Sequence, residues 1–92
     1  MTIVGRKMLE DFKIKHADAR TQVDAWVSET SVARWLQPIH IKERYRLASF
    51  LKDNQIVFNL KGNQYRLLVY VHYEAQVVYI KNVGTHDEYM TW

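Results

Sequence analysis

Residues 56–83, IVFNLKGNQYRLLVYVHYEAQVVYIKNV, decide the fold because they are rich in β-branched and aromatic residues. Two short polar interruptions divide this stretch, Gly62-Asn63 and Glu74-Ala75. Gly-Asn suits a two-residue hairpin loop because both residues tolerate a positive φ. The stretch therefore predicts three antiparallel strands joined by two tight turns.

The first turn also predicts the register of its hairpin. It pairs Leu60 with Tyr65, Asn59 with Arg66, and Phe58 with Leu67. A shift by one residue would set Phe58 beside Arg66 and would mix apolar and charged side chains on each face. Burial therefore favours the first register.

This register gives the sheet two unlike faces. The apolar face holds Ile56, Phe58, Leu60, Leu67 and Val69. In the second hairpin we expect Tyr70 to face Tyr79 and Leu68 to face Lys81. The outer face then holds Asn59, Arg66, Tyr70, His72, Tyr79 and Lys81. It contains no carboxylate, whereas an ordinary solvated face mixes acids with bases. From the pattern alone, a solvated surface and an anion-binding surface both remain open.

The N-terminal half is predicted to supply helices that cover the apolar face. Thr2–Val4 is a possible short strand, and residues 6–16 have helical spacing. Asp18 is the expected N-cap of a second helix that places Trp26 in the core. A short helical turn is expected near residues 39–45. Tyr65 projects to the apolar side in this register and is expected in the core.

The composition limits the classes of protein to which the chain can belong. The chain has 92 residues, of which 48% are hydrophobic and 25% charged, and it predicts one domain over residues 1–92. It has no cysteine, which excludes disulfides and thiolate metal sites. No apolar run is long enough to span a bilayer, and the first residues lack the apolar segment of a secretory signal. We expect a cytoplasmic protein without membrane contact.

The positive charge is concentrated in the second part of the chain. The net charge is +3, and residues 31–86 hold eight lysines and arginines against three carboxylates. This distribution favours a surface that faces a polyanion.

The C-terminal segment, GTHDEYMTW at residues 84–92, adds titratable groups. His86 and Tyr89 are spaced i, i+3. A histidine has an unperturbed pKa of ~6.5, which suits proton transfer at neutral pH.

Residues 57–89 resemble the HigB-type toxins of the RelE-like superfamily. The resemblance is carried by the turn-strand element G-N-x-Y-R-L, the apolar-aromatic hairpin that follows and the terminal T-H-x-x-Y. The segment RKMLEDFKIKHADA at residues 6–19 is similar to the opening helices of the same family. The resemblance implies a compact RelE-like α+β fold, in which a twisted antiparallel sheet has two N-terminal helices packed on one face.

The resemblance also implies a function. It implies the toxin of a type II toxin–antitoxin system, an endoribonuclease that cleaves mRNA on the translating ribosome and needs neither metal nor other cofactor. The implied partner is a HigA-like antitoxin with a helix-turn-helix domain, through which the toxin–antitoxin complex would bind operator DNA.

The same resemblance, together with the outer face of the sheet, suggests the site residues. Arg66 is the first candidate for stabilising the transition state and Lys81 the second, while His86 and Tyr89 are the candidates for proton transfer. The candidates for RNA binding are Lys61, Asn63, Tyr70, Tyr79, Lys42, Arg44 and Arg46. The alternative is a non-catalytic RNA-binding or partner-binding module that uses the same basic face.

Overall fold

The computed structural model describes residues 1–92 as four α-helices and five strands. The strands are β1 (Thr2–Val4), β2 (Ser49–Phe50), β3 (Gln55–Leu60), β4 (Tyr65–His72) and β5 (Val77–Thr85). The helices are α1 (Arg6–Lys15), α2 (Arg20–Val32), α3 (Pro38–Arg44) and α4 (His86–Tyr89), with a 3₁₀ turn at Ala17–Ala19. All five strands form one sheet in the order β1-β5-β4-β3-β2.

The three predicted strands form the antiparallel centre of this sheet. Leu60 pairs with Tyr65, Asn59 with Arg66, and Phe58 with Leu67, so the predicted register of the first hairpin is confirmed. β1 pairs with β5 in parallel, which makes the whole sheet mixed. The α+β class predicted from the sequence is confirmed.

The second hairpin contains a β-bulge that the sequence analysis missed. Tyr70 pairs with Tyr79 as expected, but Leu68 pairs with Asn82, so the predicted pairing of Leu68 with Lys81 is wrong. Lys81 is the extra residue of the bulge. The reason is packing: Ile80 is buried and Val83 packs against the same core, and strict alternation would place residues three apart on opposite faces. The bulge lets both keep the core side.

The first turn differs from the expectation in its backbone. The Gln64 N–H donates to the Lys61 carbonyl at 3.3 Å and closes the turn around Gly62-Asn63. Positive φ angles, however, fall on Lys61 (50°) and Gly62 (65°) rather than on Asn63. A left-handed conformation is unfavourable for a lysine. An ion pair between Lys61 Nζ and Asp18 Oδ2 at 2.8 Å helps to hold it there.

The helices α1 and α2 pack on the apolar face of the sheet, as predicted. Trp26 is 2% exposed, and its ring centre lies 5.4 Å from that of Phe58. The prediction that Asp18 caps α2 is wrong, because Asp18 lies in the 3₁₀ turn and α2 begins at Arg20. Its carboxylate instead accepts hydrogen bonds from the Tyr65 hydroxyl, at 2.7 Å, and from Lys61. None of the helices has the length and apolar character that a membrane crossing requires.

Candidate active site

Arg66 lies on β4 with most of its hydrogen-bonding capacity free. Its Nη1 donates to the Asn63 carbonyl at 3.0 Å, and its Cζ lies 5.5 Å from the centre of the Tyr89 ring. None of the five ion pairs of the chain includes Arg66. A guanidinium has five N–H donors, so a planar fork remains available for an anionic ligand.

The helix α4 is fixed in direction by a capping box. The Glu88 N–H donates to Thr85 Oγ1 at 3.2 Å, and the Thr85 N–H donates to Glu88 Oε1 at 2.9 Å. The second bond holds the pKa of Glu88 below its usual range. Gly84, which pairs with Arg66, leaves room for this arrangement, because a Cβ there would lie 2.9 Å from Glu88 Oε1 and 3.2 Å from Trp92.

This helix places Tyr89 against Arg66 and His86 beside Tyr89. The centres of the His86 and Tyr89 rings are 6.4 Å apart. The backbone N–H of His86 donates to the Gln64 carbonyl at 3.0 Å. Trp92 packs edge-on against Tyr89, with ring centres 5.5 Å apart. Sequence reasoning missed Trp92, although its i, i+3 spacing from Tyr89 is the same helical signal that singled out His86.

The structure places a pair of tyrosines further along the outer face. The ring centres of Tyr70 and Tyr79 are 5.9 Å apart, and Tyr79 is 41% exposed. Lys81 is exposed at the bulge and forms no ion pair or hydrogen bond with the cluster of Arg66, His86 and Tyr89. The outer face therefore has a cationic region at Arg66 and an aromatic region formed by Tyr70 and Tyr79.

Three of the predicted RNA-binding residues lie in α3 or just after it. Lys42 Nζ donates to the Ala48 carbonyl at 2.9 Å, and Arg44 forms an ion pair with Glu29. Arg46 is exposed between α3 and β2 without an ion pair. None of these three side chains forms an ion pair or hydrogen bond with Arg66, although Arg44 and Arg46 line cavities that reach Lys61 and Gly62 of the first turn.

Lys61 and Asn63 belong to the turn that precedes Arg66. Lys61 uses its ammonium group on Asp18, whereas Asn63 is exposed and offers its carbonyl to Arg66. No group of three or more histidine, aspartate or glutamate side chains is arranged to hold a metal ion.

Comparison with known proteins identifies the family. Residues 19–92 match the model of the HigB toxin family, the RelE-like toxic component of a toxin-antitoxin system. The chain belongs to the HigB toxin family. It is 30% identical over 91 residues to the mRNA interferase toxin HigB of Escherichia coli strain K12, with 97% of this chain and 88% of that protein covered. The proteins named mRNA interferase HigB in Escherichia coli O157:H7 and Shigella flexneri match with the same identity and coverage.

Membership in the HigB family confirms the resemblance noted in residues 57–89. The matched region contains every residue of the candidate site, from the turn at Lys61 to Tyr89. Since the family consists of the toxic components of toxin–antitoxin systems, an antitoxin is the partner that it implies.

Proposed function

We propose that this HigB-family chain is the toxin of a type II toxin–antitoxin system and an endoribonuclease that cleaves mRNA on the translating ribosome. The observation that carries the proposal is that Tyr89 contacts Arg66 at one end of the outer face and that His86 lies beside Tyr89. The strands β3, β4 and β5 contain no aspartate or glutamate, so no acidic side chain of these strands repels a phosphate there. The relatives described above are named as mRNA interferases, which supports the same activity.

The proposed reaction uses the RNA's own 2′-hydroxyl and needs no metal. The 2′-oxygen attacks the adjacent phosphorus, a new P–O bond forms, and the bond from phosphorus to the 5′-oxygen breaks. One proton leaves the 2′-hydroxyl and one is added to the 5′-oxygen. The products are a 2′,3′-cyclic phosphate and a free 5′-hydroxyl, and no other reactant is consumed.

Each step assigns a role to one of the four predicted catalytic side chains. Arg66 binds the non-bridging oxygens, on which negative charge grows in the transition state. His86 transfers a proton, because an imidazole side chain can both accept and release a proton near neutral pH. Tyr89 is the second proton-transfer group, and Lys81 is the second cation near the path of the phosphate.

The rest of the outer face holds the substrate. Tyr70 and Tyr79 stack on unpaired bases, since aromatic side chains are the usual platforms for single-stranded RNA. Asn63 contacts the RNA beside Arg66. Lys42, Arg44 and Arg46, in and after α3, dock ribosomal RNA, and salt weakens this contact.

The proposed partners follow from the family. A HigA-like antitoxin with a helix-turn-helix domain binds the toxin, and the complex binds operator DNA through the antitoxin. A protein that acts on translating ribosomes works in the cytoplasm.

Induced expression tests the proposed function. After induction, primer extension maps the 5′ ends of a translated reporter mRNA and of a matched transcript whose start codon is removed. We expect growth arrest and new ends in the translated transcript alone.

Two other outcomes would contradict parts of the proposal. Equal cleavage of both transcripts and of purified RNA would indicate a nuclease that does not depend on the ribosome. RNA or ribosome binding without any cleavage would favour the non-catalytic binding module.

A further inference from the structure

The backbone of the turn between β3 and β4 accepts hydrogen bonds from two parts of the candidate site, the side chain of Arg66 and the start of α4. The Asn63 carbonyl accepts a hydrogen bond from Arg66 Nη1 at 3.0 Å. The next carbonyl, that of Gln64, accepts one from the His86 backbone N–H, also at 3.0 Å. The position of this turn therefore sets where the guanidinium of Arg66 lies and where α4 begins.

One carboxylate anchors the turn from the helix side of the sheet. Asp18 Oδ2 accepts from Lys61 Nζ at 2.8 Å, and Asp18 Oδ1 accepts from the Tyr65 hydroxyl at 2.7 Å. Lys61 and Tyr65 flank the turn on its two sides. Asp18 itself lies in the 3₁₀ turn between α1 and α2, so it ties the helical hairpin to the turn.

We propose that Asp18 and Lys61 are positioning residues of the HigB-family site, because their ion pair holds the turn whose carbonyls orient Arg66 and His86. This inference rests on the proposed ribonuclease function. It assigns Lys61 a different role from direct RNA contact, since its ammonium group is bound to Asp18 on the opposite side of the sheet from the outer face.

The backbone of Lys61 explains why an anchor is needed. Its φ of 50° lies in the left-handed region, which a side chain with a Cβ rarely adopts. Without the ion pair the turn is free to relax toward an ordinary conformation, and its carbonyls would shift with it. The ladders of β3 and β4 are independent of this bond, so the fold survives.

Single-turnover cleavage on saturating ribosomes tests the proposal in three variants, Asp18→Asn, Lys61→Met and their combination. We expect each single variant to cut about tenfold more slowly, because a shift of ~1 Å in a catalytic group can cost ~100-fold. The half-saturating ribosome concentration should stay within about twofold of wild type. The double variant should cut no more slowly than either single variant, since both remove the same ion pair.

Rescue and control variants separate positioning from a loss of surface charge. Lys61→Arg restores a cation that reaches Asp18 and should recover most of the rate. The matched control is the ion pair between Lys13 Nζ and Asp24 Oδ1, at 2.7 Å, which links α1 to α2 away from the turn. Lys13→Met and Asp24→Asn should leave the cleavage rate unchanged.

A direct RNA contact by Lys61 gives the opposite pattern. In that case Asp18→Asn would release the ammonium group and keep or improve binding, while Lys61→Met alone would raise the half-saturating concentration. This result would overturn the proposal, and so would additive losses in the double variant.

Hydrogen exchange provides a readout that does not depend on activity. The amides of residues 61–66 and of His86 should exchange faster in Asp18→Asn and Lys61→Met, but not in the Lys13 and Asp24 variants. Unchanged exchange would overturn the anchoring role. If wild-type protein cuts no RNA, the proposed function fails while this measurement still decides the role of the ion pair.

Discussion

The Arg66 guanidinium lies over the Tyr89 ring, with 5.5 Å between Cζ and the ring centre. The contact joins a permanent cation on β4 to the C-terminal helix α4. A cation–π contact at an exposed site is worth about 0.5–1 kcal/mol, which is enough to bias a long side chain toward one direction. The geometry thus separates three properties that mutations can test: the charge of Arg66, the ring of Tyr89 and its hydroxyl.

Arg66→Ala tests the charge. Removing one donor from a developing oxyanion costs ~100- to 1000-fold in rate, so single-turnover cleavage should fall by that factor. Arg66→Lys should recover only part of the rate, because an ammonium group cannot make the bidentate contact of a guanidinium.

Thermal melting of the same Arg66 variants should show folded proteins that lose at most about 2 kcal/mol of unfolding free energy, since Arg66 contributes one hydrogen bond and one cation–π contact but no ion pair to the fold. The matched control is Arg20→Ala, which removes an exposed arginine at the start of α2. Near-normal cleavage by folded Arg66→Ala would refute the catalytic role of this residue.

Tyr89→Phe and Tyr89→Ala test the role of Tyr89, the residue that contacts Arg66. Phenylalanine keeps the ring over Arg66 and against Trp92 but lacks the hydroxyl, whereas alanine removes both. If Tyr89 transfers a proton, Tyr89→Phe should lower the cleavage rate ~100-fold, a typical contribution of general acid or base catalysis. The pH dependence of single-turnover cleavage should lose one limb in this variant. A full rate in Tyr89→Phe with a reduced rate in Tyr89→Ala would leave the ring with a positioning role only.

The sequence was sufficient to predict the sheet because buried and exposed side chains alternate along each strand. Phe58 and Leu67 had to share one face, and only one register of the first hairpin places Arg66 on the other. The bulge at Lys81 could not be predicted in this way. It depends on Ile80 and Val83 both packing against the core, which is a property of the assembled layers.

The sequence singled out Arg66, His86, Tyr89 and Lys81, but it did not predict that only the first three would be linked by contacts, nor the geometry of those contacts. The direction of α4 depends on the capping box of Thr85 and Glu88, whose T-x-x-E spacing is visible in the sequence and would have placed the helix start. The anchoring by Asp18 had no such signal. Its partners Lys61 and Tyr65 are distant along the chain, and a lone aspartate before a helix favours the capping interpretation.

The pair of Tyr70 and Tyr79 gives a test of substrate binding. Stacking on one base is worth about 1–3 kcal/mol by alanine substitution, so Tyr70→Ala and Tyr79→Ala should each weaken RNA binding ~5- to 150-fold. Tyr70→Phe and Tyr79→Phe keep the rings and are the matched controls, with affinities near wild type. Fluorescence anisotropy with labelled single-stranded RNA in an Arg66→Ala background measures binding without cleavage. Equal affinities for the alanine and phenylalanine variants would exclude base stacking at this pair.

Tyr45 provides a prediction about stability in alkaline solution. Burial, together with a hydrogen bond from its hydroxyl to Glu29 Oε2 at 2.8 Å, raises the pKa of Tyr45 well above its ordinary value. The folded state therefore keeps this hydroxyl neutral at pH values where the unfolded chain loses the proton. The contribution of Tyr45 is fully present below pH ~10 and declines as the pH rises beyond it, by at most about 1.4 kcal/mol per pH unit.

Tyr45→Phe should be less stable than wild type at pH 7, by about 1 kcal/mol for the lost hydrogen bond. The difference between the two proteins should shrink as the pH rises above ~10, because the variant has no proton to lose at this position. Urea unfolding at several pH values between 7 and 11 measures both effects, and Tyr79→Phe, which removes a tyrosine hydroxyl without a protein partner, is the matched control. Parallel stability curves for wild type and Tyr45→Phe over this range would show that Tyr45 ionises equally in the folded and unfolded chain.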